Sequence, residues 1–222
     1  MRSGERQVAP LEDAPKARSA RSKGYPAKRR QTKTREILRQ AAGLLAEKGY
    51  QGFRVEDLAD RVEMSRGNLY NYFRSKDELL YACERAATEL AYDRVSSQLS
   101  GCSHASSADR IRVWVAAHLR FLIEEFPLAW FFIQEDRRLP DEYRVEIKAL
   151  RHRYEHLVDG LLSDGVSSGE FAPCEVSSTR NLILGGLIWT ATWYVPGRGQ
   201  SLDDLSRQYG QQIVAMLRGN AG

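Results

Sequence analysis

The 222-residue chain has no apolar run near the roughly 20 residues that span a bilayer; the best, PLAWFFI at 127–133 and LILGGLIW at 182–189, stop well short. It also lacks an apolar stretch at the N-terminus of the kind a secretory signal needs, so a cytoplasmic protein without a membrane partner is expected. Cysteine is scarce. Cys83, Cys102 and Cys174 are odd in number, far apart and without CxxC spacing, which excludes a disulfide framework or a zinc knuckle and leaves them as buried fillers or inert thiols. There is no GxSxG, phosphate-binding Walker loop, GxGxxG, paired catalytic acid or Cys/His nucleophile pattern, so neither an enzyme nor a resident cofactor is expected. His152 and His156 stand four apart, a spacing that can chelate a metal, but Arg151 and Arg153 flank them without an apparent third ligand. They read as a solvated face, and no metal is expected. Period-two alternation is absent too, which excludes half-buried strands and points to an all-α chain.

What is present suits one well-buried domain, or a small domain docked on a larger one: 42% hydrophobic and 28% charged residues, with glycine and proline at ordinary levels. The charge is unevenly spread. Residues 1–30 carry nine Lys/Arg against three acids, while the rest of the chain is slightly acidic. This segment is poor in large apolar groups and is expected to be a disordered basic arm. Such an arm either adds sequence-independent affinity to a DNA-binding unit or merely solubilises the chain.

The helical pattern starts near residue 33. Ile37, Leu38, Ala41, Leu44 and Leu45 recur at helical spacing until Gly49 and Gly52 supply a stop, giving a first helix over about 33–48. A short second helix carries Val55, Leu58, Ala59 and Val62 on one face. Ser65 is placed to cap a third with Leu69, Tyr70 and Phe73, and Ser75 with Glu78 forms a capping box opening a long fourth through Leu79, Leu80, Cys83 and Leu90. Two short helices joined by a tight turn inside a three-helix unit form a helix-turn-helix, with the third helix as reader. Its residues have the chemistry for that. Arg66 can bond guanine, Asn68 adenine or phosphate, Tyr70 and Tyr72 offer rigid hydroxyls, Lys76 can hold a phosphate wall, and Gly67 permits close backbone approach.

LLAEKGYQGFRVEDLADRVEMSRGNLYNYFRSKDELL resembles the N-terminal DNA-binding domain of the TetR family of transcriptional regulators, over about residues 33–82. The resemblance implies an all-helical homodimer on a palindromic double-stranded operator, with a larger helical domain that binds an effector and dimerises through its last two helices. Carried over by position, Lys33, Ser65, Arg66, Gly67, Asn68, Tyr70, Asn71, Tyr72 and Lys76 are candidate DNA contacts. Two positions depart from the family pattern. Arg54 replaces the usual Thr or Ser cap of helix 2 and can contact phosphate in compensation, and Glu63 stands where a turn glycine is common. The expected division is an arm at 1–30, a DNA-binding domain at 31–78 and an effector and dimerisation domain at 79–222.

Downstream, 109–125 is amphipathic through Ile111, Val115, His118, Leu119 and Leu122; Pro127 opens another helix, and Pro140 opens a long one that stops near Gly165. TRNLILGGLIWTATWYVP is apolar nearly all round, as in a helix buried at an interface or around a ligand, and Leu202, Leu205, Tyr209, Ile213 and Leu217 line the last helix. Residues 127–217, with R-x-L-P and W-x-x-x-W-Y-x-P-G, are similar to a TetR subgroup that controls lipid, fatty-acid or sterol catabolism and responds to acyl-CoA thioesters. That similarity implies an acyl pocket lined by Trp130, Phe131, Phe132, Tyr154, Trp189 and Trp193, with Arg151 or Arg153 meeting the CoA phosphates. The four-residue spacing of Trp189 and Trp193 fits core or interface packing equally well.

The leading expectation is a repressor released from its operator by a small molecule. Its competitors are a non-specific DNA-binding protein driven by the arm, a repressor answering an unrelated hydrophobic ligand, and a small-molecule binder whose DNA unit is vestigial.

Overall fold

The computed structural model describes residues 24–125 and 139–219, divided between two compact units, 1–35 and 36–222. Among the described residues there is no strand, and no helix is long and apolar enough to cross a membrane. The protein is all-α, as its periodicity implies. Helices are numbered below in chain order among the described residues.

In the first unit, helix α1 (Gly24–Gly52) begins upstream of the expected residue 33, with Pro26 in its first turn, where a missing N–H costs no bond. Residues 24–30, assigned from composition to a disordered arm, are therefore helical, and residues 1–23 lie outside the described ones. Within the second unit α1 runs as expected to Gly49, whose φ of 66° breaks its regular course. Helices α2 (Val55–Arg61), α3 (Arg66–Tyr70) and α4 (Lys76–Ser100) follow. Ile37, Leu44, Leu45, Leu58, Val62, Leu69, Leu80 and Cys83 close the core of this head, and Leu139 and Ile147 pack into the same cluster.

The α2–α3 turn needs a left-handed residue, and Glu63 supplies it at φ 55°. A side chain there strains the backbone by about 1–3 kcal/mol, part of which is returned because glycine has a looser unfolded chain. Glu63→Gly is therefore expected to stabilise the protein by about 0.5–1 kcal/mol, a rise in melting temperature of about 1–4 °C by calorimetry.

The larger helical part contains α5 (Ser107–Arg120), a single π turn (Phe121–Glu125), α6 (Asp141–Ser167), α7 (Val176–Trp193) and α8 (Leu202–Arg218). Its core gathers Val95, Ile111, Trp114, Val115, Leu119, Val158, Leu162, Ile183, Leu187 and Val214. Helix α6 ends at Ser167, near Gly165 as expected, and the glycine is required because a Cβ there would lie 2.0 Å from the Phe171 ring. Cys83 is buried, and burial pushes its thiol up, out of the reactive range. Cys174 is exposed, so the filler reading does not extend to it.

Candidate nucleic-acid interface and effector cavity

The exposed side of the turn and α3 is built by caps. Ser65 Oγ accepts from the Asn68 N–H at 3.2 Å, and Ser75 Oγ from the Glu78 N–H at 3.0 Å. Glu78 reaches back, but to the Arg74 N–H at 2.6 Å rather than to the Ser75 N–H, one residue outside the usual reciprocal pair. Arg54 sits at the N-cap of α2 in extended conformation with no side-chain cap, and its side chain is exposed. The departure from Thr or Ser thus costs a cap and frees a cation.

Leu69 is buried and anchors α3, so its neighbours Ser65, Arg66, Gly67, Asn68, Tyr70 and Asn71 face solvent together. Arg66 is held in place: one guanidinium nitrogen lies 2.7 Å from Glu56 of α2, and the group stands 5.6 Å from the centre of the Tyr70 ring. Tyr72 is half-buried against the head's core. Lys76 differs from its neighbours. Its ammonium donates to the carbonyls of Tyr50 and Phe53, the latter at 3.0 Å, and lies 4.1 Å from the centre of the Tyr50 ring. It ties α4 to the end of α1, so any phosphate contact from it competes with those bonds. Lys33 belongs to the first unit, where it is half-buried.

A cavity of about 390 Å³ opens between α4, α5, the π turn, α6 and α7. Its walls are apolar at Ala87, Ala91, Phe121, Leu122, Leu184 and Ile188. Polar side chains share the lining: Glu84, Thr88, His118, Arg151, Tyr154, Glu155 and Asn181. Glu84, almost fully buried, pairs with Arg151. His118 and Tyr154, both buried, bond each other at 2.6 Å, and Trp114 Nε1 donates to the Tyr154 hydroxyl at 3.0 Å. Burial pushes the His118 imidazole down to about 4 and the Tyr154 phenol up, so both are neutral at pH 7.

Of the residues expected to line a pocket, Arg151 and Tyr154 do so. Arg153 does not: its guanidinium stacks 3.8 Å from the centre of the Tyr92 ring, beside a separate outer groove. Trp189 and Trp193 are also off the cavity, exposed by 58% and 47%. The cavity takes the α7 stripe Asn181, Leu184, Gly185 and Ile188, and the tryptophans fall on another face of the same helix. Trp130, Phe131 and Phe132 lie outside the described residues. Glu84, Thr88, His118 and Phe121 escaped the sequence reading. His118 was visible there only as one member of an apolar stripe, and no periodicity announces a π turn, a feature that often accompanies functional sites. His152 and His156 are exposed, and Glu155, overlooked as a partner, lies 2.7 Å from His152. Among the described residues no group of three or more His, Cys, Asp or Glu could hold a metal ion.

Comparison with known proteins gives this arrangement relatives. Residues 104–217 match the tetracyclin repressor-like C-terminal domain, and residues 37–83 match the bacterial regulatory proteins of the tetR family. The chain is 25% identical over 169 residues to the fatty acid metabolism regulator protein of Bacillus subtilis strain 168, covering 76% of this chain and 86% of that one. To the HTH-type transcriptional repressor KstR2 of Mycolicibacterium smegmatis it is 26% identical over 197 residues, covering 87% and 91%. The crystal structure of the regulator PfmR from Thermus thermophilus superposes with a TM-score of 0.70 at 30% identity, covering 84% of this chain and 99% of that one.

Proposed function

The chain belongs to the TetR family of bacterial regulatory proteins, and from that premise we propose that it is a homodimeric repressor of lipid-catabolism genes, released from an inverted-repeat operator when an acyl-CoA thioester fills the cavity. The observation that carries this reading is that the same two helices build the cavity and the head. On α4, Leu79, Leu80 and Cys83 belong to the head core and Glu84, Ala87 and Ala91 to the cavity wall. On α6, Ile147 packs in the head and Arg151 and Tyr154 line the cavity, while Tyr143 stacks on Tyr81 with ring centres 4.3 Å apart. A ligand that separates α4 from α6 therefore moves the head that carries α3. Release then requires only that the effector bind the displaced arrangement better, in proportion to its differential affinity.

The lipid assignment is supported by the name of one relative, the fatty acid metabolism regulator protein, and by a cavity whose accessible wall is mostly apolar. Homodimerisation is supported by an exposed apolar face on the last two helices, with Leu182 at 67%, Trp189 at 58% and Met216 at 45% exposure. Under this reading residues 31–78 contact DNA, 79–222 bind the effector and dimerise, and the basic arm at 1–30 adds phosphate affinity. The function is binding without catalysis, and no cofactor enters it.

The test is fluorescence anisotropy at fixed salt, with labelled duplex from upstream of the protein's own coding region against a scrambled duplex. A saturable preference for the native duplex, lost on adding palmitoyl-CoA, is the expected result. Equal weak binding to both would sink the specific-repressor reading, and preference untouched by the thioester would sink the effector assignment.

A further inference from the structure

Helices α4 and α6 each pass from one hydrophobic cluster into another. On α4, Leu79, Leu80 and Cys83 belong to the head core, and Ala87 and Ala91 to the core of the larger helical part. On α6, Ile147 belongs to the head core with Leu150 packed against it, and Tyr154 and Val158 to the larger core. Glu84 and Arg151 stand at the break on both helices, joined by an ion pair. Glu84 is 2% exposed, Arg151 is half-buried, and both line the cavity. On the head side α4 and α6 also meet through the Tyr81–Tyr143 stack and through Arg85 and Glu146, both exposed and 3.7 Å apart. On the other side the cavity lies between them, and on its outer flank the exposed Arg153 stacks on Tyr92.

A buried carboxylate is costly to desolvate, and two apolar side chains in the same space would hold the helices together as well or better. Stability therefore does not account for the pair. What an ion pair adds is register. An apolar contact tolerates sliding and tilting, whereas Glu84 cannot leave Arg151 without stranding a charge in the core. The pair is thus a fixed point with the cavity on one side and the head on the other. Spreading of α4 and α6 at the cavity is carried past that point as a tilt of the head, instead of being taken up by local slippage.

We propose that the Glu84–Arg151 pair is the fulcrum of the switch, the contact that converts an effector-driven displacement of α4 against α6 into a movement of α3. The proposal deepens the reading above and rests on the chain being a repressor released through this cavity. Arg85 and Glu146 supply no such fixed point, because both are exposed and water can replace either partner.

The experiment measures the affinity of the full chain for its upstream duplex, without ligand and with palmitoyl-CoA raised until its effect reaches a plateau. Tryptophan fluorescence confirms that each protein is saturated with the thioester. The ratio of the two dissociation constants then reads coupling separately from how tightly the thioester binds, and in the wild type it is expected to be on the order of 10–100. Glu84→Gln and Arg151→Gln should each bring the ratio to within about threefold of unity, and the double variant Glu84→Leu, Arg151→Met should add little to either, since the two residues act as one unit. Arg85→Gln should keep the wild-type ratio. Melting curves show which variants are folded, and the double variant, which strands no charge, decides where a single one is not. A wild-type ratio in the folded pair variants, or an equal loss in Arg85→Gln, overturns the fulcrum while the repressor reading survives. Loss of thioester binding itself in every pair variant would make the pair a recognition element and overturn it too. If palmitoyl-CoA leaves wild-type operator binding unchanged, the thioester reading falls and the ligand-free affinities decide: a change of about tenfold or more in the pair variants, absent in Arg85→Gln, supports the fulcrum, and equal affinities overturn it. If the wild type shows no operator preference, both readings are overturned.

Discussion

Replacing Arg66 and Tyr70 together by alanine is expected to weaken binding to the native upstream duplex about 100-fold or more, with a change in stability of no more than about 1 kcal/mol. Both side chains lie on the solvent face of α3, opposite the buried Leu69. A well-placed contact to a base or phosphate is worth about 1–3 kcal/mol, and two adjacent contacts are not simply additive. The pair to Glu56 joins two exposed side chains, so breaking it removes little from the fold. Lys76→Ala should behave differently, losing stability first, because its ammonium bonds two backbone carbonyls at the end of α1. Gly67→Ala completes the comparison. A Cβ there meets nothing within 4 Å, so folding is kept, and any loss of DNA affinity reports close approach of the duplex to the backbone. Anisotropy and thermal melting on the same samples separate the three, and undiminished affinity of the Arg66/Tyr70 variant would remove α3 as the reader.

The head was legible because short-range rules decide it. Ser65, Ser75 and Gly49 act through neighbours only a few residues away, and the alternation of Leu58, Val62 and Leu69 with charged residues sets the buried face. Arg54 and Glu63 were visible as departures, but their consequence, an uncapped helix and a left-handed glutamate, depends on backbone geometry. The cavity was less legible because it is made from four separated stretches. Its α4 wall is a stripe of small residues, Ala87, Thr88 and Ala91, which in sequence looks like ordinary helix packing. The tryptophans that draw the eye on α7 face away from it, since size and aromaticity do not reveal rotation about a helix axis. Lys76 shows the same limit for charge: a lysine at a helix start suggests phosphate, and only the fold shows its ammonium on two carbonyls.

Lowering the pH from 7 to about 4.5 is expected to destabilise the protein by on the order of 2–3 kcal/mol through His118, lowering the melting temperature by about 5–10 °C. The imidazole falls from its ordinary 6.5 to about 4 in the folded protein, because burial opposes its charge. Between those values the unfolded chain binds a proton that the native state refuses. Stability therefore rises with pH across the window, is fully present above 6.5, and is lost as pH falls toward 4. The carboxylates that are held down, Glu47, Asp109, Glu170, Glu175 and Asp204, add a loss of the same sign that sets in near the bottom of this window, since their ordinary values are 3.8 or 4.5. The other three histidines, His104, His152 and His156, are exposed and remain in a His118→Gln variant, so their contribution cancels when the two proteins are compared. Melting curves of wild type and His118→Gln between pH 7 and about 4.5 should therefore diverge in slope, with the variant the flatter of the two. Parallel curves would mean that His118 takes its proton in place, as a buried ring bonded to the Tyr154 hydroxyl through Nδ1 is not expected to do.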